Sequence, residues 1–497
     1  MKLKQPLEAF QPFLPLLRGH AQVCQSGEEA VTLLASLYQD NKVRLSRAVQ
    51  DLSEGKPLPK QTATYPYVGL KVEPHQLNVD ATKAYGLALE PGCYGTTITR
   101  PDLFSRYYKE QLDLLIAHHK IDVFVGESTW PIPLPFIDEA SLISLKPEAL
   151  WDLSNNIPLP DLNKVDDAIA NGTYDLSDDA PRPLALFTAE RVDYSLHRLH
   201  HYCGTDPVHF QNFILLTNYQ RYVDYFLEHA TNELKEKPGE VELVLPGDVV
   251  ITDANDVEEA ARTCAASHLP QMPAYHLKHK DKSGITFINI GVGPTNARNI
   301  TDHLAVLRPH CWIMLGHCAG FRRSQHLGDY VLAHGYVRDD HVLDHDLPLW
   351  MPIPAIAEMQ LALSEAVIRV TGLKGHDIKT RMRTGTVVST DNRNWELSPK
   401  ELFGRYNRTR AIALDLESAS LAANGFRFRV PYGTLLCVSD KPLHGELKLK
   451  GMATRFYKDR VRQHLEIGLE AVRILRKEGA ELLHSRKLRG FDEPPFR

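Results

Sequence analysis

PYGTLLCVSDKPLHG, residues Pro431–Gly445, is the stretch from which the chain is best read. Thr434–Val438 is a short apolar run bounded by Gly433 and polar residues, which predicts a fully buried strand. The pattern delivers Ser439 and Asp440 onto the loop beyond its end. Open parallel sheets bind ligands outside the carboxyl ends of their strands. An aspartate there, beside apolar residues, can be kept protonated by burial and suits proton donation to a leaving base. A strand-ending or loop-capping role is the structural alternative for Asp440.

The 497 residues are 43% hydrophobic and 24% charged, an ordinary composition for a globular protein. That length exceeds one core and predicts two or three domains. A net charge of −5 gives no global basic field for a nucleic-acid polymer or an anionic membrane. Seven cysteines, odd in number and scattered without a CxxC pair, favour reduced thiols. With no leader-like N-terminus and no apolar run of membrane-spanning length, the expected location is the cytoplasm.

Residues 28–52 carry Ala30, Leu33, Leu34, Leu37 and Tyr38 at helical spacing. Strands and turns are expected over 65–99, then a helix from Leu103 to His118 with Pro101 near its first turn, then a strand at Ile121–Val125. Pro131, Pro133 and Pro135 favour an extended segment. Residues 1 to about 180 thus predict a smaller α+β domain. The stretch 151–185, rich in Asn, Asp, Pro and Gly, marks the boundary region. From 186 to 497 strands alternate with helices, which predicts a mostly parallel, helix-covered sheet. Its strands are expected at Phe213–Leu216, Ile285–Ile290, Cys311–Leu315, Asp329–Ala333, Thr386–Ser389 and Ala411–Leu414. A last amphipathic helix, Phe456–Glu478, precedes a basic, Pro-rich arm.

Several loops carry candidate chemistry. Gly291-Val292-Gly293-Pro294-Thr295-Asn296 follows a strand and opens a helix. It lacks the third glycine and the acidic partner of a dinucleotide fingerprint, so a nicotinamide site is not expected. Its backbone N–H groups can still meet an anion or a sugar, or merely make a tight turn. Gly316-His317-Cys318-Ala319-Gly320 is expected to follow the next strand in the same way. Glu417 stands just past an apolar strand among small residues, where a carboxylate can accept from two vicinal hydroxyls. A dipole-favoured helix-start glutamate is the alternative. Arg221 lies at a strand–helix junction, a place for a phosphate ligand or for a solvated helix arginine. His341, Asp344 and His345 could face one way, but no HExxH pattern supports a metal site and none is expected.

The order of these pieces resembles that of the nucleoside phosphorylase/nucleosidase family: the glycine loop 291–296, GHCAG, GDYVLA at 328–333, GTVVSTDN at 385–392, DLESA at 415–419 and CVSDKP at 437–442. The resemblance implies an α/β, three-layer catalytic domain with a central mixed sheet and distorted barrel. It implies that Glu417 binds ribose hydroxyls beside Leu416, that Asp440 in its pair with Ser439 protonates purine N7, and that Arg221 binds phosphate. Met314 stands where the phosphorylases carry an arginine for orthophosphate, and His317 replaces their serine. Both departures put phosphate in doubt as nucleophile. YGTTITRPDLF (94–104), PIPLPF (131–136), NIGVGPTNAR and RFRVPYGTLLCVSDKPLHGELKL look like segments of the bacterial AMP nucleosidase family. That closer resemblance implies hydrolysis of AMP to adenine and ribose 5-phosphate, with no cofactor for the chemistry. It also implies a homo-hexamer, activation by Mg-ATP and inhibition by phosphate. Because every matched catalytic motif lies after residue 210, residues 1 to about 180 are expected to regulate rather than catalyse. For the AMP 5′-phosphate it leaves Arg221, Arg298, Arg322 and Arg323 as candidates. A purine nucleoside or nucleotide phosphorylase, and a nucleotide-sensing regulator without activity, are the other readings.

Overall fold

The computed structural model describes residues 7–54, 56, 63–77, 80, 82–137, 158–175, 180–446, 454–479, 483 and 486–497. The chain falls into two compact units, Met1–His197 with Arg489–Arg497, and Arg198–Leu488. The composition break at 151–185 lies partly outside the described residues, and the compact division falls between His197 and Arg198.

In the first unit, β1 (Leu17–Cys24), α1 (Gly27–Ser53), β2 (Thr64–Val72), β3 (Gly92–Thr97), α2 (Pro101–His119), β4 (Val123–Pro131) and β5 (Arg182–Pro183) precede α3 (Ala189–Cys203), within which the division falls. The strands form one sheet in the order β1-β4-β2-β3-β5. Apolar residues of α1 such as Leu45 and Val49 pack with Tyr65, Ile132 and Leu134 into a core. The expected extended run of prolines is half right: Pro131 ends β4, but Leu134–Phe136 turns into a 3-10 helix. Residues Arg489–Arg497 pack as an irregular arm, as expected. Phe496 N–H donates to Leu184 O at 2.9 Å, Arg497 N–H to Gln111 Oε1 at 2.8 Å, and Tyr107 Oη–H to Arg497 O at 2.9 Å.

The second unit carries β6 (Phe213–Thr217), α4 (Gln220–Glu236), β7 (Val241–Leu245), β8 (Val249–Ile251), α5 (Val257–Ala266), β9 (Ala274–His279), β10 (Ile285–Asn289), α6 (Pro294–Leu304), β11 (Cys311–Gly320), β12 (Tyr330–Asp339), α7 (Ala357–Thr371), β13 (Met382–Thr390), α8 (Pro399–Thr409), β14 (Ala413–Asp415), α9 (Ser418–Phe428), β15 (Tyr432–Asp440) and α10 (Thr454–Glu478). Its ten-stranded sheet runs β14-β13-β12-β15-β11-β6-β10-β9-β7-β8, and β14 also pairs with β11. That pairing closes five strands into a ring. The expectation of a mostly parallel sheet is corrected: β6, β10, β11 and β15 run parallel, but β15–β12, β11–β14 and β10–β9 are antiparallel. Only the buried parallel centre writes the continuous apolar runs from which a sequence reading works.

Two expected loops are strands. Gly316–Gly320 completes β11, because its small residues pair with β15 on one side and with Leu414 and Ala413 on the other. A Cβ on Gly316 would stand 2.7 Å from Met314 Cε, so glycine here serves close packing inside a strand. Ser439 and Asp440 likewise end β15 as strand residues, and the register slips between Cys318 and Ala319 so that Ala319 faces Asp440. A bulge of this kind re-aims side chains at a strand end.

Candidate active site

The carboxyl ends of β6, β10, β11 and β15, with the β14–α9 junction, bring together most of the residues singled out above. Glu417 is buried, 1% exposed, and stands at the N-cap of α9. Its Oε1 accepts the backbone N–H of Gly293 at 2.7 Å. The Asn218 side chain, just past β6, also hydrogen-bonds it. Gly293 has φ +122, a conformation open to glycine, and this turn aims its N–H at the carboxylate. The glycine loop therefore gives this donor to Glu417, and Pro294 has none. Thr295 lies exposed on the first turn of α6, while Asn296 Nδ2 donates weakly back to Val292 O at 3.5 Å. Gly291, with φ +67, supplies the left-handed step before it.

Asp415, missed in the sequence reading, lies two residues before Glu417. It is buried and accepts from Ser389 Oγ at 2.6 Å and from Ser418 N at 3.0 Å, with Ser418 Oγ as a third donor. Burial pushes Glu417 well above the usual carboxylate range, and the charge of Asp415 pushes it further. Burial raises Asp415 too, but the Ser389 and Ser418 donors hold it down. Of the two, Glu417 is the carboxyl that takes a proton. The acid–any residue–acid spacing of Asp415-Leu416-Glu417 was the signal available.

Asp440 is half-buried at the end of β15, and Ser439 Oγ donates to its Oδ1. Ser439 Oγ is also 3.3 Å from Cys318 O, so its single proton serves one acceptor at a time. His317 of β11 packs on Tyr219, ring centroids 4.3 Å apart, and at 5.7 Å from Tyr222. The Tyr222 hydroxyl donates to His464 Nδ1 at 2.6 Å, and His464 Nε2–H donates to Leu435 O at 3.0 Å. Burial drives His464 down to about 3, so it stays neutral and braces the tyrosine. Met314 is fully buried on β11 and brings no charge.

The arginine candidates separate. Arg298 pairs with Asp346 at 2.8 Å and Asp302 at 3.5 Å, so its charge is already answered. Arg322 donates to Arg410 O at 3.0 Å. Arg221 and Arg323 are exposed, Arg221 on the first turn of α4. His341 Nδ1 hydrogen-bonds Asp344 at 2.8 Å, and no metal-holding cluster occurs among the described residues. Nor is any helix among them long and apolar enough to cross a membrane.

Carboxyls at strand ends, a glycine turn at a helix start and a ring-closed mixed sheet define a class, and the family models agree with it. The Phosphorylase superfamily model matches residues 248–472, and the Bacterial AMP nucleoside phosphorylase N-terminus model matches residues 29–181. The second unit is a phosphorylase-superfamily domain. The chain is 47% identical over 476 residues to AMP nucleosidase of Escherichia coli (strain K12), spanning 94% of this chain and 98% of that protein. The same figures hold for AMP nucleosidase of Escherichia coli O157:H7. It belongs to the AMP nucleosidase family. Among solved structures, AMP nucleosidase from Bacteroides thetaiotaomicron VPI-5482 is 28% identical, covering 58% of this chain and 99% of that one with a TM-score of 0.42.

Proposed function

We propose that this chain hydrolyses the N-glycosidic bond of AMP, giving adenine and ribose 5-phosphate. The observation that carries the reading is the 47% identity, over nearly the full length, to Escherichia coli AMP nucleosidase. The site supplies the roles. Adenine leaves readily only when N7 is protonated, and Asp440, backed by Ser439, is the proton donor. General acid catalysis of this kind contributes roughly 10²–10⁴ in rate. As the bond breaks, the sugar becomes oxocarbenium-like. Glu417 accepts from its hydroxyls and holds the ring while water attacks the anomeric carbon. The substrate's own phosphate anchors the far end of the molecule, and that remote binding keeps the sugar in place for the reaction.

In this reading the protein is a cytoplasmic homo-hexamer, activated by Mg-ATP and inhibited by phosphate, with the first unit as its regulatory part. Arg221 and Arg323 remain the candidates for the 5′-phosphate, because Arg298 and Arg322 have other partners. The phosphorolytic alternative suffers from the neutral, buried Met314 at the position of an anion ligand. Incubating the purified protein with AMP and following adenine and sugar phosphate tests the reading. Stoichiometric adenine and ribose 5-phosphate are expected, and a well-folded protein that releases no adenine would overturn it.

A further inference from the structure

We propose that Asp415 is a positioning residue for Glu417, a fixed anion that decides in which protonation form the sugar-binding carboxyl meets the ribose. The proposal rests on the reading of Glu417 as the ribose ligand. Asp415 closes β14, and its register neighbour across the sheet is Ser389 of β13. Ser389 Oγ–H donates to Asp415 at 2.6 Å while the same oxygen accepts the N–H of Ala419 at 2.9 Å. The Ser418 N–H and hydroxyl complete the set. Asp415 and Ser389 thus satisfy the N–H groups of Ser418 and Ala419, which the first turn of a helix leaves without partners. The turn that carries Glu417 is clamped by the same bonds that stabilise a negative charge on Asp415.

Two carboxyls this close in a buried site do not both ionise readily, and the proton goes to the one with weaker support. Asp415 has two hydroxyls and the N–H groups of Ser418 and Glu417; Glu417 has the N–H groups of Gly293 and Leu416 and the Asn218 amide. The other titratable groups facing the pair are Tyr336 of β12 and Cys318 of β11, with Asp440 of β15 beyond Cys318. Burial raises Tyr336 and Cys318, so both stay neutral through the working range. One step further out, Asp340, just past β12, accepts from Ser420 Oγ of α9 at 2.9 Å, and the Arg338 charge acts on Asp340. In the empty site Glu417 therefore carries the proton. It gives full charge stabilisation to the sugar only once it has lost that proton. Activity then has an acid limb set by the charge on Asp415.

The test is the pH dependence of kcat/KM for AMP in the wild type and in Asp415→Asn. The titration of AMP's own phosphate is common to both and cancels in the comparison. Removing the neighbouring charge should move the acid limb down by roughly one pH unit or more. Asp415→Glu keeps the charge while disturbing the packing, so it should keep the wild-type limb at a lower plateau. Should Asp415→Asn fail to fold, Ser389→Ala serves instead. Without that hydroxyl the proton settles on Asp415, and the limb again moves down. An unmoved limb with a lowered plateau would make Asp415 merely structural and overturn the proposal. A readout independent of turnover is the infrared band of a protonated carboxyl near neutral pH. One component of it should be lost in Glu417→Gln and in Asp415→Asn, while the contribution of other buried acids such as Asp193 stays. Wild type that shows this component but releases no adenine sinks the proposed reaction and leaves the proton assignment standing.

Discussion

The backbone N–H of Gly293 donates to Glu417 Oε1 at 2.7 Å, across 124 residues of sequence. One bond thereby joins the turn that starts α6 to the helix start that carries Glu417, the carboxyl proposed to hold the sugar. Glu417→Gln keeps the shape and one acceptor oxygen but loses the charge that a diol recruits. It should reduce turnover of AMP more than turnover of 2′-deoxy-AMP, which lacks one of the hydroxyls served. Equal losses on both substrates would make Glu417 a structural residue.

Gly293→Ala tests the turn itself. No atom lies within 4 Å of the new Cβ, so the penalty is conformational alone. Forcing φ +122 on an alanine should cost about 1–3 kcal/mol. Chemical denaturation should show that loss, and kcat/KM should fall along with it as the donor swings away from Glu417. Unchanged stability would mean that the loop has another accessible conformation.

Asp440→Asn is nearly isosteric and should leave the fold and nucleotide binding in place. Without a proton to give, kcat should drop by roughly 10² or more. Near-normal turnover at an unchanged melting temperature would remove Asp440 from the mechanism.

Water should remain the nucleophile even in excess phosphate. An anion beneath the sugar needs a fixed cation to offset its desolvation, and Met314 offers none. Product analysis in concentrated phosphate should find ribose 5-phosphate. Ribose 1,5-bisphosphate in quantity would favour phosphorolysis.

In the first unit, Asp193 is buried under the Tyr65 and Thr99 hydroxyls, at 2.8 and 2.6 Å. Burial raises its carboxyl to about 7, above the ordinary 3.8. Because the folded value is the higher one, its stabilising contribution is full below the unfolded value. It is lost as pH rises from about 4 through about 7. The thermal midpoint of this unit should therefore fall between pH 5 and pH 8, and Asp193→Asn should flatten that decline. A wild-type midpoint that rises over the same interval would contradict the assignment.

The parallel centre of the sheet was legible because FILLT in β6 and ITFIN in β10 are apolar runs at strand length. The chemistry was legible as far as it sits at their ends. GHCAG was misread for a physical reason. Gly316, Ala319 and Gly320 look like loop residues, yet Gly316 makes room for Met314 within the strand, and Ala319 and Gly320 close the ring onto β14, a pairing between distant parts of the chain. The outer strands β7, β8 and β9 were not anticipated. They pair antiparallel at the sheet's far end, where alternation and charge blur the apolar signal. Asp415 escaped because one of its donors, Ser389, lies 26 residues away on a neighbouring strand.

The nine residues Arg489–Arg497 belong to a unit whose other residues all precede position 198. During synthesis the first unit emerges first but is completed last, once Phe496 and Arg497 have left the ribosome to reach Leu184 and Gln111. A nascent chain that stalls after Leu488 would carry every strand of the second unit and still leave the first with vacant acceptors. Completion of the N-terminal unit thus waits on residues made after the whole of the second unit.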